Sequence, residues 1–154
     1  IMILISHRGN INGKLESYEN EPSYINLAIS KGYDVEIDVW FKDSMLWLGH
    51  DNPQTKISIN WVKNNQSHLW IHCKNIEAVV KLKELNNEFE FDIHYFFHQE
   101  DDITLTSKGY IWAYPNKQPI KHSIAILPEI YQDDLSLCIG ICSDYIEKYD
   151  KKRK

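Results

Sequence analysis

The sequence predicts an α/β protein built as a reduced or incomplete TIM-type βα barrel, and three observations lead there. Short unbroken apolar runs recur along the 154 residues, and helical patterns separate the early ones. Strands that alternate with helices need crossover connections and therefore favour parallel neighbours. The chain is also far shorter than the roughly 250 residues of a complete eight-stranded βα barrel. With 43% hydrophobic and 25% charged residues, one globular domain over 1–150 with a real core is expected. A basic tail, Lys151-Lys152-Arg153-Lys154, follows it as a solvated end.

The first strand is expected over 2–6, where Met2-Ile3-Leu4-Ile5-Ser6 runs into His7-Arg8-Gly9. A helix follows over 22–29, opened by Pro22 and stopped at Gly32. Strands are expected over 33–41 and 45–48, joined by a tight turn at Lys42-Asp43-Ser44. The next strand spans 69–73, and apolar residues at helical spacing predict a helix over 76–85. Further strands are expected over 92–97, 110–113, 123–127 and 138–142. Between 104 and 137, Gly109, Pro115, Pro119 and Pro128 punctuate short apolar runs and leave no room for a long helix. Crossovers there must be abbreviated, and missing outer helices would leave apolar surface that favours a homo-oligomer.

A formal charge of −5 argues against nucleic-acid binding, which draws affinity from clustered cations. No apolar run approaches the roughly 20 residues of a membrane span, and no signal-peptide pattern opens the chain. The expected location is therefore cytoplasmic. Cys73, Cys138 and Cys142 are odd in number and lie within strand-like runs, as buried thiols do.

The chemistry concentrates at strand ends. In VEIDVW the two-residue period puts Val35, Ile37 and Val39 on one face and Glu36, Asp38 and Trp40 on the other. Two like charges on a buried strand are costly without a compensating cation, and a divalent metal held by oxygen ligands supplies one. The alternative for the same residues is an exposed sheet face. LGHDNP repeats the opening pattern, with an apolar run ending in His50-Asp51. His7 and His50 thus offer two imidazoles flanking the acidic pair, as general acid–base chemistry requires. His98 ends the run whose His94 and Phe96 share its face. Trp112, Tyr114, Glu129 and Asp144 end other runs.

Five short motifs over residues 3 to 53, in order, resemble the glycerophosphodiester phosphodiesterase family of the phospholipase-C-like phosphodiesterases. They are His7-Arg8-Gly9, Glu19-Asn20, the helix up to Gly32, Glu36-Ile37-Asp38 with Lys42-Asp43, and His50-Asp51. The resemblance implies that His7 and His50 form the acid–base pair, that Glu36 and Asp38 bind a divalent ion, that Arg8 faces a phosphate oxygen, and that Glu19 supports by hydrogen bonding. The family's next motif, ExK, corresponds to His72-Cys73-Lys74. Lys74 would again face phosphate, and His72 takes the place of the third carboxylate ligand. An imidazole there favours a borderline metal such as Mn²⁺ or Zn²⁺ over Ca²⁺; Mg²⁺ or Mn²⁺ is nonetheless the expected ion, with Zn²⁺ or Ca²⁺ as alternatives. The implied activity is metal-dependent hydrolysis of a small-molecule phosphodiester such as a glycerophosphodiester, an activity belonging to lipid metabolism. The rival expectation is a non-catalytic phosphate-binding or interaction module on a degenerate barrel.

Overall fold

In the computed structural model, residues 2–153 are described, the side chains of 151–153 excepted. The first strand, β1 (Ile3–His7), leads through a loop to helix α1 (Pro22–Ser30). Then come the long strand β2 (Asp34–Lys42) and the strands β3 (Met45–Leu48) and β4 (Thr55–Ile57). Helix α2 (Ile59–Asn65) leads to β5 (Leu69–Cys73) and helix α3 (Ile76–Glu88). Four short strands follow: β6 (Tyr95–Phe97), β7 (Ile103–Leu105), β8 (Ile111–Ala113) and β9 (Ser123–Ile126). The chain ends in β10 (Gly140–Ser143) and helix α4 (Ile146–Arg153). The backbone of 151–153 completes α4, while the side chains of the basic tail and all of Lys154 lie outside the described residues.

All ten strands join one mixed sheet that curls into a half-barrel. Strands β6, β5, β2, β1, β10, β9 and β8 run parallel in that order. Two antiparallel additions flank them, β3–β4 beside β2 and β7 beside β8. The expectation of a TIM-type βα barrel, even a reduced one, is therefore corrected. Strand and helix do not alternate, because the β8–β9 connection carries no helix and β9–β10 carries a single 3-10 turn, Pro128–Ile130. Pro115 and Pro119 interrupt the β8–β9 connection and leave it no unbroken stretch of two helical turns.

β2 shows how the sheet sets up a site. β1 pairs with it through His7↔Glu36 and stops. β3 then pairs with it from Val39 to Lys42. The carbonyl of Glu36 accepts from Arg8 N at 2.8 Å, and the carbonyl of Asp38 from Gly49 N at 3.1 Å. Carbonyls two residues apart on a strand face the same edge. One edge of β2 is therefore handed from the end of β1 to the end of β3, which brings the His7 and His50 segments side by side.

The two-residue period then sorts side chains by face. Val35, Ile37 and Val39 pack outward with Ile25 and Ala28 of α1 and with Ala78, Leu82 and Leu85 of α3. The concave face is filled at its lower level by Ile5, Trp70, Phe96, Trp112, Ile124, Ile126 and Cys142. One residue pair further along each of several strands, the same face turns polar. Cys73, Cys138 and Cys142 are free and buried. Among the described residues no helix is long and apolar enough to cross a membrane.

Candidate functional site

At the C-terminal ends of the parallel strands the concave face opens into a cavity of about 500 Å³. His7, Arg8, Glu36, His50, His72, Lys74 and His98 line it, opposite a wall of Trp112, Tyr114, Ile126 and Leu127. The residues singled out in the sequence as catalytic, phosphate-facing and metal-ligating thus gather here, with Asp38 directly beneath.

Glu36 and Asp38 are almost wholly buried, which settles the choice between an interior and an exposed face. Donor atoms of Glu36, Asp38 and His72 lie within 4.8 Å of one another. His72 Nδ1 stands 3.3 Å from Asp38 Oδ1 and 4.0 Å from Glu36 Oε2. Its other nitrogen faces the His98 carbonyl at 3.4 Å; with an ion bound, Nδ1 would offer it a lone pair while Nε2–H donates to that carbonyl. Glu36 Oε1 and Asp38 Oδ1 are buried without a hydrogen-bond partner. Two carboxylates and one imidazole converge on a common space with oxygens unspent, so the donor set fits a small divalent cation.

The electrostatics bear the same mark. Burial, and then the charge of Asp38, push Glu36 up to about 7. Burial would raise Asp38 too, but His72, Arg8 and Asn20 hold it well below the usual carboxylate range. Arg8 Nε lies 3.1 Å from Asp38 Oδ2, and Lys74 Nζ lies 4.0 Å from Asp38 Oδ1. Asn20 fixes this acid from both sides: its amide donates to Oδ2 at 3.0 Å, and its carbonyl oxygen accepts from Asp38 N at 3.0 Å. Arg8 and Asn20 both hold left-handed backbone, with φ of 60° and 61°. Such non-glycine conformations persist where surrounding contacts over-determine them.

His7 and His50 reach the cavity by different means. His7 Nδ1 is hydrogen-bonded to Asp144 Oδ1 at 2.7 Å, leaving Nε2 on the Glu36 side at 3.8 Å. Burial would lower His7, yet the Asp144 bond and the Glu36 charge raise it above the ordinary value. His50 is half-exposed on the loop after β3, its Nδ1 2.8 Å from Asp51 Oδ1. Burial and the charge of Arg8 lower it.

Glu19 does not approach Asp38. It accepts from Arg8 Nη1 at 3.3 Å and from Asn10 Nδ2 at 2.7 Å. Asn10 also donates to Asp144 at 2.9 Å. His7, Glu19 and Asp144 could be taken for a second metal cluster, but both Glu19 oxygens accept from Arg8 and Asn10, and Asp144 Oδ1 is held by Asn10 and His7. They form a scaffold that aims His7 and Arg8. His98, whose ring stacks 4.3 Å from that of His72 at 12°, is hydrogen-bonded to Tyr114. Glu129, away from the cavity, accepts from Ser143 Oγ at 2.7 Å and Tyr149 Oη at 3.2 Å.

Sequence reasoning assigned no role to Asn10, Asn20 or Asp144. Asp144 stands where β10 runs out beside β1, and a polar residue after an apolar strand was the available signal; that it meets His7, 137 positions away, depends on the pairing of β1 with β10. No family model matches the chain, and no curated protein or solved structure matches it either.

Proposed function

We propose that the protein is a metal-dependent phosphodiesterase, and that its substrate is a small phosphodiester of the glycerophosphodiester type. The observation that carries this reading is one cavity holding unspent carboxylate oxygens of Glu36 and Asp38 between two imidazoles and two fixed cations. Glu36, Asp38 and His72 would hold the ion, which when bound withdraws charge from a phosphoryl oxygen. Arg8 and Lys74 face the same cavity and neutralise the remaining phosphate charge, which otherwise repels an incoming nucleophile. His7, oriented through Nδ1 by Asp144, and His50, oriented through Nδ1 by Asp51, each present Nε2 for proton transfer. One takes a proton from the attacking water, and the other returns a proton to the departing alkoxide. A phosphomonoester and an alcohol result.

The test is turnover of bis(p-nitrophenyl) phosphate and glycerophosphocholine by the full chain, with chelator and after adding back Mg²⁺ or Mn²⁺. Chelator should silence the protein and one ion should restore it. His7→Ala and His50→Ala should each lower kcat by about 10²- to 10⁴-fold while the melting temperature holds. Full activity in excess chelator, or near-normal rates in either variant, would overturn the reading. Binding of phosphate without turnover of either diester would favour the non-catalytic module.

A further inference from the structure

Building on the assignment of Glu36, Asp38 and His72 as ligands, we propose that the Tyr114–His98 hydrogen bond is a clasp across the open seam of the half-barrel that fixes the His72 ring. Tyr114 and His98 are thereby positioning residues for the metal centre.

The seam lies between β6 and the β7–β8 pair. β6 ladders with β5, and β8 with β7 and β9; separate hydrogen bonds join the two banks. Ser107 N donates to the Tyr95 carbonyl at 2.7 Å, and Tyr95 N donates to Ser107 Oγ at 2.9 Å. His94 Nε2 meets Thr106 Oγ1 at 2.6 Å. These contacts hold the seam at the level of the aromatic floor. At the level of the cavity it is crossed by Tyr114 Oη bonded to His98 Nε2.

His98 in turn holds His72 in two ways. Its ring lies nearly flat against the His72 ring, and its carbonyl faces His72 Nε2. Phe96 adds a second near-parallel ring 5.0 Å from His72. The remaining nitrogen of His98, Nδ1, is buried without a partner, so the hydroxyl of Tyr114 is the polar anchor of that ring. Removing it frees His98 to turn and withdraws one wall from the imidazole that aims Nδ1 at the two acids. Outer partners of this kind are worth about 10- to 100-fold in metal affinity.

Mn²⁺ titration calorimetry on the full chain tests the clasp. Tyr114→Phe and His98→Phe each keep an aromatic ring and lose the bond, so each should weaken Mn²⁺ binding by about 10-fold. The double variant should be no weaker than either single one, because both remove the same contact. Ser107→Ala, which cuts the seam at the floor, should leave Mn²⁺ affinity within about twofold of the parent. Parent-like affinity in Tyr114→Phe would overturn the clasp, as would additive losses in the double variant or an equal loss in Ser107→Ala. Absence of Mn²⁺ binding by the parent chain would instead remove the metal centre itself, so the two failures are distinguishable.

Discussion

Asp144 illustrates how much a single side chain can decide. Its carboxylate holds His7 Nδ1, and the same oxygen accepts from Asn10. Burial raises a carboxyl, yet the bond to His7 keeps Asp144 below its ordinary value, so it stays anionic and orients the imidazole. Asp144→Asn keeps the shape and removes the charge. A drop of about 10²-fold or more in kcat/KM with an unchanged melting temperature is expected; parent-like turnover would show that His7 needs no such partner. At this scale the sequence was informative about residues that carry charge into the cavity. His7, Arg8, His50 and Lys74 stand at the ends of recognisable apolar runs, and Glu36 is placed by the two-residue period of its strand. Asn20 was visible only as part of a motif, Asp144 only as the end of a run and Asn10 not at all, because their roles are contacts between distant segments and not features of their own neighbourhoods.

Among the elements, the end of β3 has the least freedom. Gly49 has φ of 152°, and an added Cβ would stand 2.0 Å from the Asn52 carbonyl oxygen, a backbone atom that cannot yield cheaply. Gly49→Ala should therefore cost about 2 kcal/mol or more in a urea titration and displace His50. A parent-like transition would mean that the loop rearranges freely. α3 supports the acids from behind, since Leu82 is wholly buried beneath β2 and β5; Leu82→Ala should lower stability by about 2 to 5 kcal/mol in the same titration, and a change below 1 kcal/mol would show that α3 packs loosely. β2, β5, α1 and α3 were legible in the sequence because apolar periodicity over five or more residues leaves few alternatives. β4 and β7 are three residues long, too short for any period to register. No element was expected from the sequence at α2 or α4; α2 buries Val62, too little for a helical period to register. The barrel expectation failed at the connections: strands were visible, but whether a helix covers each one depends on loops whose sequence carries prolines and no face.

The molecule as a whole gains a pH dependence from the floor of the half-barrel. His94 is buried against the Trp70 and Tyr110 rings. Burial, and then the Lys108 charge, bring it down to about 4. Its ordinary value is near 6.5, so between about pH 6.5 and 4 the unfolded chain holds a proton that the native chain does not. The stability it contributes is complete above pH 6.5 and is lost as the pH falls toward 4. Urea unfolding at pH 7.5 and 5 should show a loss to which His94 contributes on the order of 2 kcal/mol; His94→Gln should remove that share and leave the one due to His98, which burial also brings down to about 4. Equal slopes in parent and variant would place the acid sensitivity elsewhere.

The uneven distribution of helices has a mechanical outcome. β2 and β5, which carry the acids and His72, are backed by α1 and α3, whereas β8 and β9 are covered by loops. Partial opening is expected to start where packed helices are fewest, on the Trp112 and Tyr114 bank. The bond from Tyr114 to His98 is then the route by which loosening of the thinly backed wall would reach His72 and the acids.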